Sequence, residues 1–151
     1  MIVFAALYAV GVIVLAPISF GIWQVRLADA LLPLAIIFGW PCALGLSLGC
    51  LVANVYGGLG IIDILGGSFA NIVACSLAWR IGRGTSIYKR FLATIAITLT
   101  VTIIVGGYLT LLFAVPPEFG LVGVFVGEII AVNIIGFGIE EAIRKTKVFR
   151  L

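Results

Sequence analysis

Histidine is absent from this chain of 151 residues, and charged residues make up only 10% of it. The missing imidazole removes the commonest general base and the commonest metal ligand from any proposed site. A soluble domain carries about 25% charged residues, many of them on the surface that covers its core. With 64% hydrophobic residues and a mean hydropathy of +1.35, this chain has too few polar groups for such a surface. The composition therefore predicts an integral membrane protein.

Other chemical motifs are scarce as well. The three cysteines, Cys42, Cys50 and Cys75, form no CxxC pair and lie in apolar runs, which is typical of small packing residues. The sequence contains neither a phosphate-binding GxxxxGK[ST] loop nor an HExxH metal motif. We therefore expect no enzyme, no catalytic residues, no metal and no cofactor.

What remains is a series of long apolar runs. A bilayer core of about 30 Å needs about 20 helical residues at about 1.5 Å each. On that scale the sequence predicts one all-α transmembrane domain over residues 1–151, a six-helix bundle. The six predicted helices cover about residues 2–20, 26–39, 42–56, 64–81, 91–114 and 119–141.

The first two predicted helices differ from the others in sequence. The first run lacks the basic residues of a secretory signal and is too long for one, so we interpret it as a retained first span. The second run is short, carries Pro33, and ends at the sequence GWP, residues 39–41, which predicts a tight turn. We expect the second helix to be tilted, kinked or partly outside the hydrocarbon core.

Lysine and arginine orient the helices. Eight of the nine basic residues lie in the stretch 80–90 and in the tail 144–150. Loops of this kind stay on the cytoplasmic side, so six helices place both termini in the cytoplasm of a multi-pass protein of the cell membrane. The net charge of +3 is then a topology feature that also attracts anionic lipid, and nothing suggests a nucleic-acid partner.

Few ionisable residues remain away from the cytoplasmic side: Arg26, Asp29, Asp63, Glu118 and Glu128. Solvation in a short loop explains Glu118, and the spacing of Arg26 and Asp29 is that of a local ion pair. Glu128 is different, because it lies roughly 14 Å below the outer end of the last predicted helix. An unpaired carboxylate there costs roughly 2.5 kcal/mol or more, which predicts a functional site.

Asp63 stands in the glycine-rich stretch GGLGIIDILGGSFAN, residues 57–71, on the outer side of the predicted bundle. Two interpretations stay open, a helix cap and a ligand contact. Asn54, Asn71 and Asn133 add amide groups within the helices, and each can serve a ligand or merely bond across helices. Trp23 lies beside these polar residues in an outer loop.

Small residues recur every four positions on several helices, including Ala5 and Ala9 on the first. Such stripes allow two helices to approach closely in a membrane. We interpret most of them as internal packing, and one as a candidate face for another protein.

Residues 18–71 resemble the QueT family, the queuosine-precursor substrate-binding (S) components of energy-coupling-factor (ECF) transporters. The matching features are Gln24, Arg26, the runs ALLPL and GLSLGCLVAN, then Asp63 and GSFA, and Gly127 with Glu128 in the last helix. Two positions depart from the family pattern. Ala28 and Asp29 stand where the family has Ser-Glu, and GSFAN stands where it has GSLAT.

The resemblance implies a six-helix protein that binds a micronutrient on its outer side. It implies transfer of that cargo to a transmembrane coupling subunit driven by two cytoplasmic ATPases, with Ala5 and Ala9 packed on the coupling subunit. The implied cargo is a 7-deazaguanine, namely queuine or its precursors preQ0 and preQ1. The candidate binding residues are Trp23, Gln24, Arg26, Asn54, Asp63, Asn71 and Glu128.

The chemistry of these residues suits such a cargo. A guanine-like edge presents two neighbouring donors, and the carboxylate of Glu128 or Asp63 can accept both in a charge-assisted pair. Trp23 can stack on the flat base. Two alternatives stay open: an S component for another vitamin, such as thiamin, riboflavin or biotin, and a structural subunit of a membrane complex that binds no small molecule.

Overall fold

Each apolar run of the sequence forms a helix. The computed structural model describes residues 1–20, 25–84 and 86–146, and those ranges contain helices and connections but no β-strand. Four helices are long and apolar enough to cross a membrane, Trp40–Gly57, Ile61–Gly82, Ile87–Leu112 and Pro117–Lys145. Two shorter apolar helices, Ile2–Val14 and Leu27–Phe38, precede them.

The first run, predicted as residues 2–20, is divided into α1, Ile2–Val14, and a short α2, Ala16–Ser19. Pro17 lies in the first turn of α2. Its nitrogen carries no hydrogen for the carbonyl four residues earlier, so α1 cannot continue through this position unbroken.

The second apolar segment is a 3-10 helix, Leu27–Leu34, that continues into α3, Ala35–Phe38. A 3-10 helix rises about 2.0 Å per residue against about 1.5 Å in an α-helix, so the short segment reaches further across the bundle. Gly39 then adopts φ 64°, and α4 begins at Trp40 with Pro41 in its first turn. This is the tight turn that the sequence GWP predicts.

Helix α4, Trp40–Gly57, packs closely on α1. A Cβ atom on Gly49 would lie 2.5 Å from the carbonyl oxygen of Ala5, and one on Gly45 would lie 2.4 Å from that of Met1. Only glycine permits such a close approach of two backbones. Gly45 and Gly49 of α4 therefore serve the packing of α4 on α1.

Helix α5, Ile61–Gly82, packs on the other side of α4. Ser47 donates to the carbonyl oxygen of Ser68 at 2.7 Å, and Ser68 donates to that of Ser47 at 3.0 Å. The run GLSLG around Ser47 spells the GxSxG pattern of hydrolases, but it lies inside a helix and lacks the strand-to-helix turn that the motif requires.

The last two long helices each contain a π-helical segment. The first consists of α6, Ile87–Val101, the π segment Thr102–Gly106, and α7, Gly107–Leu112. The second consists of α8, Pro117–Glu128, the π segment Ile129–Gly136, and α9, Phe137–Lys145. In the latter segment Asn133 accepts from Thr98 at 2.5 Å and donates to Thr94 at 3.2 Å, which is a bond across helices.

Four charged side chains meet where α6 begins and α9 ends, and we name them the terminal cluster: Arg90, Glu140, Glu141 and Arg144. Arg144 donates to Glu140 at 2.9 Å, as the spacing of four residues predicts. Glu141, which has the same spacing from Lys145, instead accepts from Arg90, whose Nε lies 2.7 Å away. A partner 51 residues away in sequence thus replaces the local one.

Candidate functional site

Six helical segments and the extended residue before the 3-10 helix bring seven polar side chains together inside the bundle. We name them the polar cluster: Tyr8, Arg26, Asp29, Asn54, Asp63, Tyr108 and Glu128. Tyr108 is half-buried, and none of the other six is more than 4% exposed. Charged side chains are almost never buried so completely in an apolar bundle unless they are paired or serve a function.

Asp63 lies in the first turn of α5, one residue before the predicted start of that helix, and is fully buried. Its Oδ1 accepts from Arg26 at 3.2 Å and from the hydroxyl of Tyr108 at 2.7 Å. Its other oxygen, Oδ2, has no hydrogen-bond partner among the described residues. Asp63 is therefore held in place by Arg26, which precedes the 3-10 helix, and by Tyr108 of α7.

Arg26 precedes the 3-10 helix with an extended backbone, φ −92° and ψ 90°. Its guanidinium also reaches the sulfur of Cys50 at 3.6 Å and lies 5.9 Å from the ring centre of Phe20. The spacing of Arg26 and Asp29 predicts a local ion pair between them. That prediction is wrong, because the ion pair of Arg26 is with Asp63. An extended residue before a helix lies outside the helix surface on which the three-residue spacing brings side chains together.

Asp29 instead accepts a hydrogen bond from the hydroxyl of Tyr8 on α1. Glu128, the last residue of α8, lies within hydrogen-bonding reach of Asp29 and in the field of Arg26. The two carboxyl groups are brought together because the last helix packs on the 3-10 helix. A Cβ on Gly136 would lie only 2.7 Å from the carbonyl oxygen of Ala30.

Asn54 on α4 holds the start of α5, since its amide donates to the backbone carbonyl of Asp63 at 2.7 Å. Between these helices Gly67 leaves no room for a side chain. A Cβ there would lie 2.6 Å from Nδ2 of Asn54 and 3.3 Å from Nη1 of Arg26. Asp63, Gly67 and Asn71 are four residues apart in turn and so share one face of α5.

Five buried atoms of the polar cluster and of Asn71 have no hydrogen-bond partner among the described parts of the chain: Arg26 Nε, Asn54 Oδ1, Asp63 Oδ2, Asn71 Nδ2 and Glu128 Oε2. Three of them are acceptors and two are donors. A buried polar atom without a partner costs about 1–3 kcal/mol, so the arrangement favours a polar ligand that bonds to them.

Of the residues predicted from sequence, Arg26, Asn54, Asp63 and Glu128 meet in the polar cluster. Asn71 lies two turns along α5 from Asp63 and is 3% exposed. The structure does not describe residues 21–24, which include Trp23 and Gln24. Ala5 and Ala9 are half-buried on α1, where Ala5 touches α4 at Gly49.

Sequence reasoning missed Tyr8 and Tyr108, and it gave Asp29 only a local role. A tyrosine in the middle of an apolar run is a usable signal, because its hydroxyl needs a partner when the ring is buried. Tyr8 stands near the middle of the first predicted helix, and Tyr108 lies six residues before the end of the fifth.

Comparison with curated proteins and with solved structures finds no match for the chain. Residues 1–145, nearly the whole sequence, match the QueT transporter family. This is a family of transporters rather than enzymes, and the long apolar helices agree with a multi-pass location in the membrane. The chain therefore belongs to the QueT transporter family.

Proposed function

We propose that this protein is the substrate-binding (S) component of an ECF transporter and that its cargo is a queuosine precursor. That cargo is a 7-deazaguanine, of which preQ1, preQ0 and queuine are the candidates. The polar cluster supports the proposal most. In a member of a transporter family, this buried site holds acceptors and donors that have no hydrogen-bond partner in the described protein.

The donor and acceptor pattern suits a guanine-like ring. Such a ring presents N1–H and an exocyclic amine side by side, and Oδ2 of Asp63 or Oε2 of Glu128 can accept from them in a charge-assisted bond. The amide of Asn71 can donate to the ring carbonyl. Trp23 and Gln24, which precede Arg26 in sequence, are proposed to stack on the ring and to bond to its edge.

We also propose a single six-helix transmembrane domain with both termini in the cytoplasm. The four long helices and the two shorter ones support the count, since the 3-10 conformation extends the second helix. In this topology Asn54 at the end of α4 and Asp63 at the start of α5 lie near the outer surface. The cargo would then enter from outside.

The proposed partners are a transmembrane coupling subunit and two ATPase subunits of an ECF transporter. The sequence itself contains no phosphate-binding loop for ATP. We propose that Ala5 and Ala9 contact the coupling subunit. Both keep part of their surface exposed on α1, which supports that role.

Thermal unfolding of the purified protein tests the proposed cargo. A ligand at about 100 times its Kd stabilises a protein by about 2.7 kcal/mol, which raises the melting temperature measurably. We expect stabilisation by a 7-deazaguanine and not by thiamin, riboflavin or biotin. Stabilisation by one of those vitamins alone would favour the other S components, and no stabilisation by any compound would favour a structural subunit.

A matched pair of variants ties the ligand to the site. Glu128→Gln keeps the shape of the side chain and removes the acceptor charge, so we expect at least about tenfold weaker binding. Glu118→Gln makes the same change at an exposed carboxylate in the first turn of α8, and its affinity should equal that of the unchanged protein. Equal affinity of the Glu128 variant would remove this residue from the site.

A further inference from the structure

The polar cluster contains more acidic than basic side chains. Three buried carboxyl groups, of Asp29, Asp63 and Glu128, face one guanidinium, that of Arg26. No other lysine or arginine occurs in residues 1–79 or in residues 91–143. Residues 21–24, which the structure does not describe, are Gly, Ile, Trp and Gln, and these carry no charge. Among the described residues, no second lysine or arginine forms an ion pair with these carboxyl groups.

The single guanidinium is already engaged on one side of the cluster. Arg26 is paired with Asp63 at 3.2 Å, and Tyr108 donates to the same carboxylate oxygen. Asp29 and Glu128 lie beside each other on the other side, with the hydroxyl of Tyr8 as the donor to Asp29. Two carboxyl groups side by side repel when both are ionised, unless a positive charge lies with them.

We propose that Asp29 and Glu128 form a subsite for a positively charged group of the cargo, so that the protein selects cationic over neutral ligands with the same ring. A primary ammonium group has three donors and matches two carboxyl groups and one further acceptor. Oε2 of Glu128, buried and without a partner in the described protein, is one of the acceptors. Tyr8 is a positioning residue, because its bond fixes the carboxyl group of Asp29.

This inference rests on the proposed function and divides the cargo between two subsites. Asp63, with Asn54 and Asn71 on the same side, receives the edge of the guanine-like ring. The carboxyl pair receives the side chain at position 7 of the ring. An aminomethyl group there is a cation at neutral pH, whereas a nitrile is neutral and only accepts hydrogen bonds.

Two ligands that differ only at that position provide the test, 7-aminomethyl-7-deazaguanine and 7-cyano-7-deazaguanine. Isothermal titration of the purified full-length protein at pH 7 gives the ratio of their affinities. We expect the amine to bind at least about tenfold more tightly than the nitrile. Using the ratio as the readout cancels any general loss of folding, which affects both ligands alike.

Isosteric variants test whether the carboxyl pair of Asp29 and Glu128 causes the difference between the two affinities. Asp29→Asn and Glu128→Gln should each bring the ratio of the two affinities close to one. Tyr8→Phe should lower this ratio by about threefold, because Asp29 loses the hydrogen bond that fixes its carboxyl group. Asp63→Asn should weaken the binding of both ligands equally and leave the ratio of their affinities unchanged. The control Glu118→Gln should keep both affinities.

Three outcomes are decisive against the inference. If the nitrile binds the unchanged protein as tightly as the amine, or if the ratio persists in both Asp29→Asn and Glu128→Gln, the carboxyl pair is not a cation subsite. Binding of either ligand in those cases still supports a 7-deazaguanine transporter. If neither ligand binds, the proposed function fails and the inference fails with it.

Discussion

The polar cluster and the terminal cluster each contain four side chains with a carboxyl or guanidinium group, but they differ in the balance of acidic and basic groups. The terminal cluster has two arginines and two glutamates, and each of its charges has an opposite charge within 3.5 Å. The polar cluster has one arginine and three carboxyl groups. The side chains of the terminal cluster balance one another in charge, and only Oε2 of Glu140 among its described atoms is buried without a hydrogen-bond partner. The polar cluster needs a proton or a ligand to balance it.

Charge balance distinguishes the two clusters better than burial does. Glu140 in the terminal cluster and Asp63 in the polar cluster are both 0% exposed. Glu140 lies between Arg90 and Arg144, so its burial is explained by ion pairs within the fold. Glu128 has no such neighbour of its own, since the guanidinium of Arg26 is paired with Asp63. The comparison therefore predicts which substitutions change binding and which change only stability.

The largest effect is expected from breaking the ion pair inside the polar cluster. Arg26→Gln leaves Asp63 buried without its cation, which costs about 3–5 kcal/mol for a buried pair. The thermal unfolding temperature of the purified protein should fall strongly. The double variant Arg26→Gln with Asp63→Asn removes both charges and should recover part of the loss, and a double variant no more stable than Arg26→Gln alone would contradict the pairing.

A smaller loss is expected from Tyr108→Phe, which removes only the hydroxyl that donates to Asp63 at 2.7 Å. Hydrogen bonds to charged groups contribute about 1.5–3 kcal/mol, and the half-buried position of Tyr108 favours the lower end. Melting temperatures measure the change. Tyr88→Phe, at an exposed tyrosine of α6, is the control and should leave the melting temperature unchanged.

Gly67→Ala tests whether the close approach of α5 shapes the polar cluster. The added Cβ would lie 2.6 Å from the amide nitrogen of Asn54, so the neighbouring side chains must move. We expect this to lower the free energy of unfolding by about 1–3 kcal/mol. We expect both lower stability and weaker ligand binding. Gly138→Ala adds the same atom in α9, where nothing lies within 4 Å, and it should keep the binding affinity of the unchanged protein.

Much of this arrangement follows from the sequence, and the reasons are physical. Apolar runs predict helices because lipid offers the backbone no hydrogen bonds. Arg26, Asp63 and Glu128 are identifiable because charge is expensive inside such runs. Asn54 is identifiable as an amide in the same setting, but its bond to the start of α5 is not.

The rest depends on how the helices pack. The choice of Asp63 rather than Asp29 as the partner of Arg26 requires an extended residue before a 3-10 helix, and local spacing does not specify that conformation. The two π segments likewise arise in ordinary apolar sequence. Tyr8 is missed because an aromatic residue in an apolar helix also suits plain packing, until its hydroxyl is placed beside Asp29.

The smallest effect should come from the terminal cluster. Glu141→Gln removes one partner of Arg90, but Glu140 remains 3.5 Å from the same side chain. Because Glu141 is partly exposed, we expect a loss of about 0.2–1 kcal/mol in stability. Lys145→Gln should have no effect, since Glu141 pairs with Arg90 across helices rather than with its neighbour four residues on. Ligand affinity should be the same in both variants as in the unchanged protein. A loss of affinity in Glu141→Gln would show that the terminal cluster also contributes to ligand binding. Charge balance would then not predict which of the two clusters affects binding.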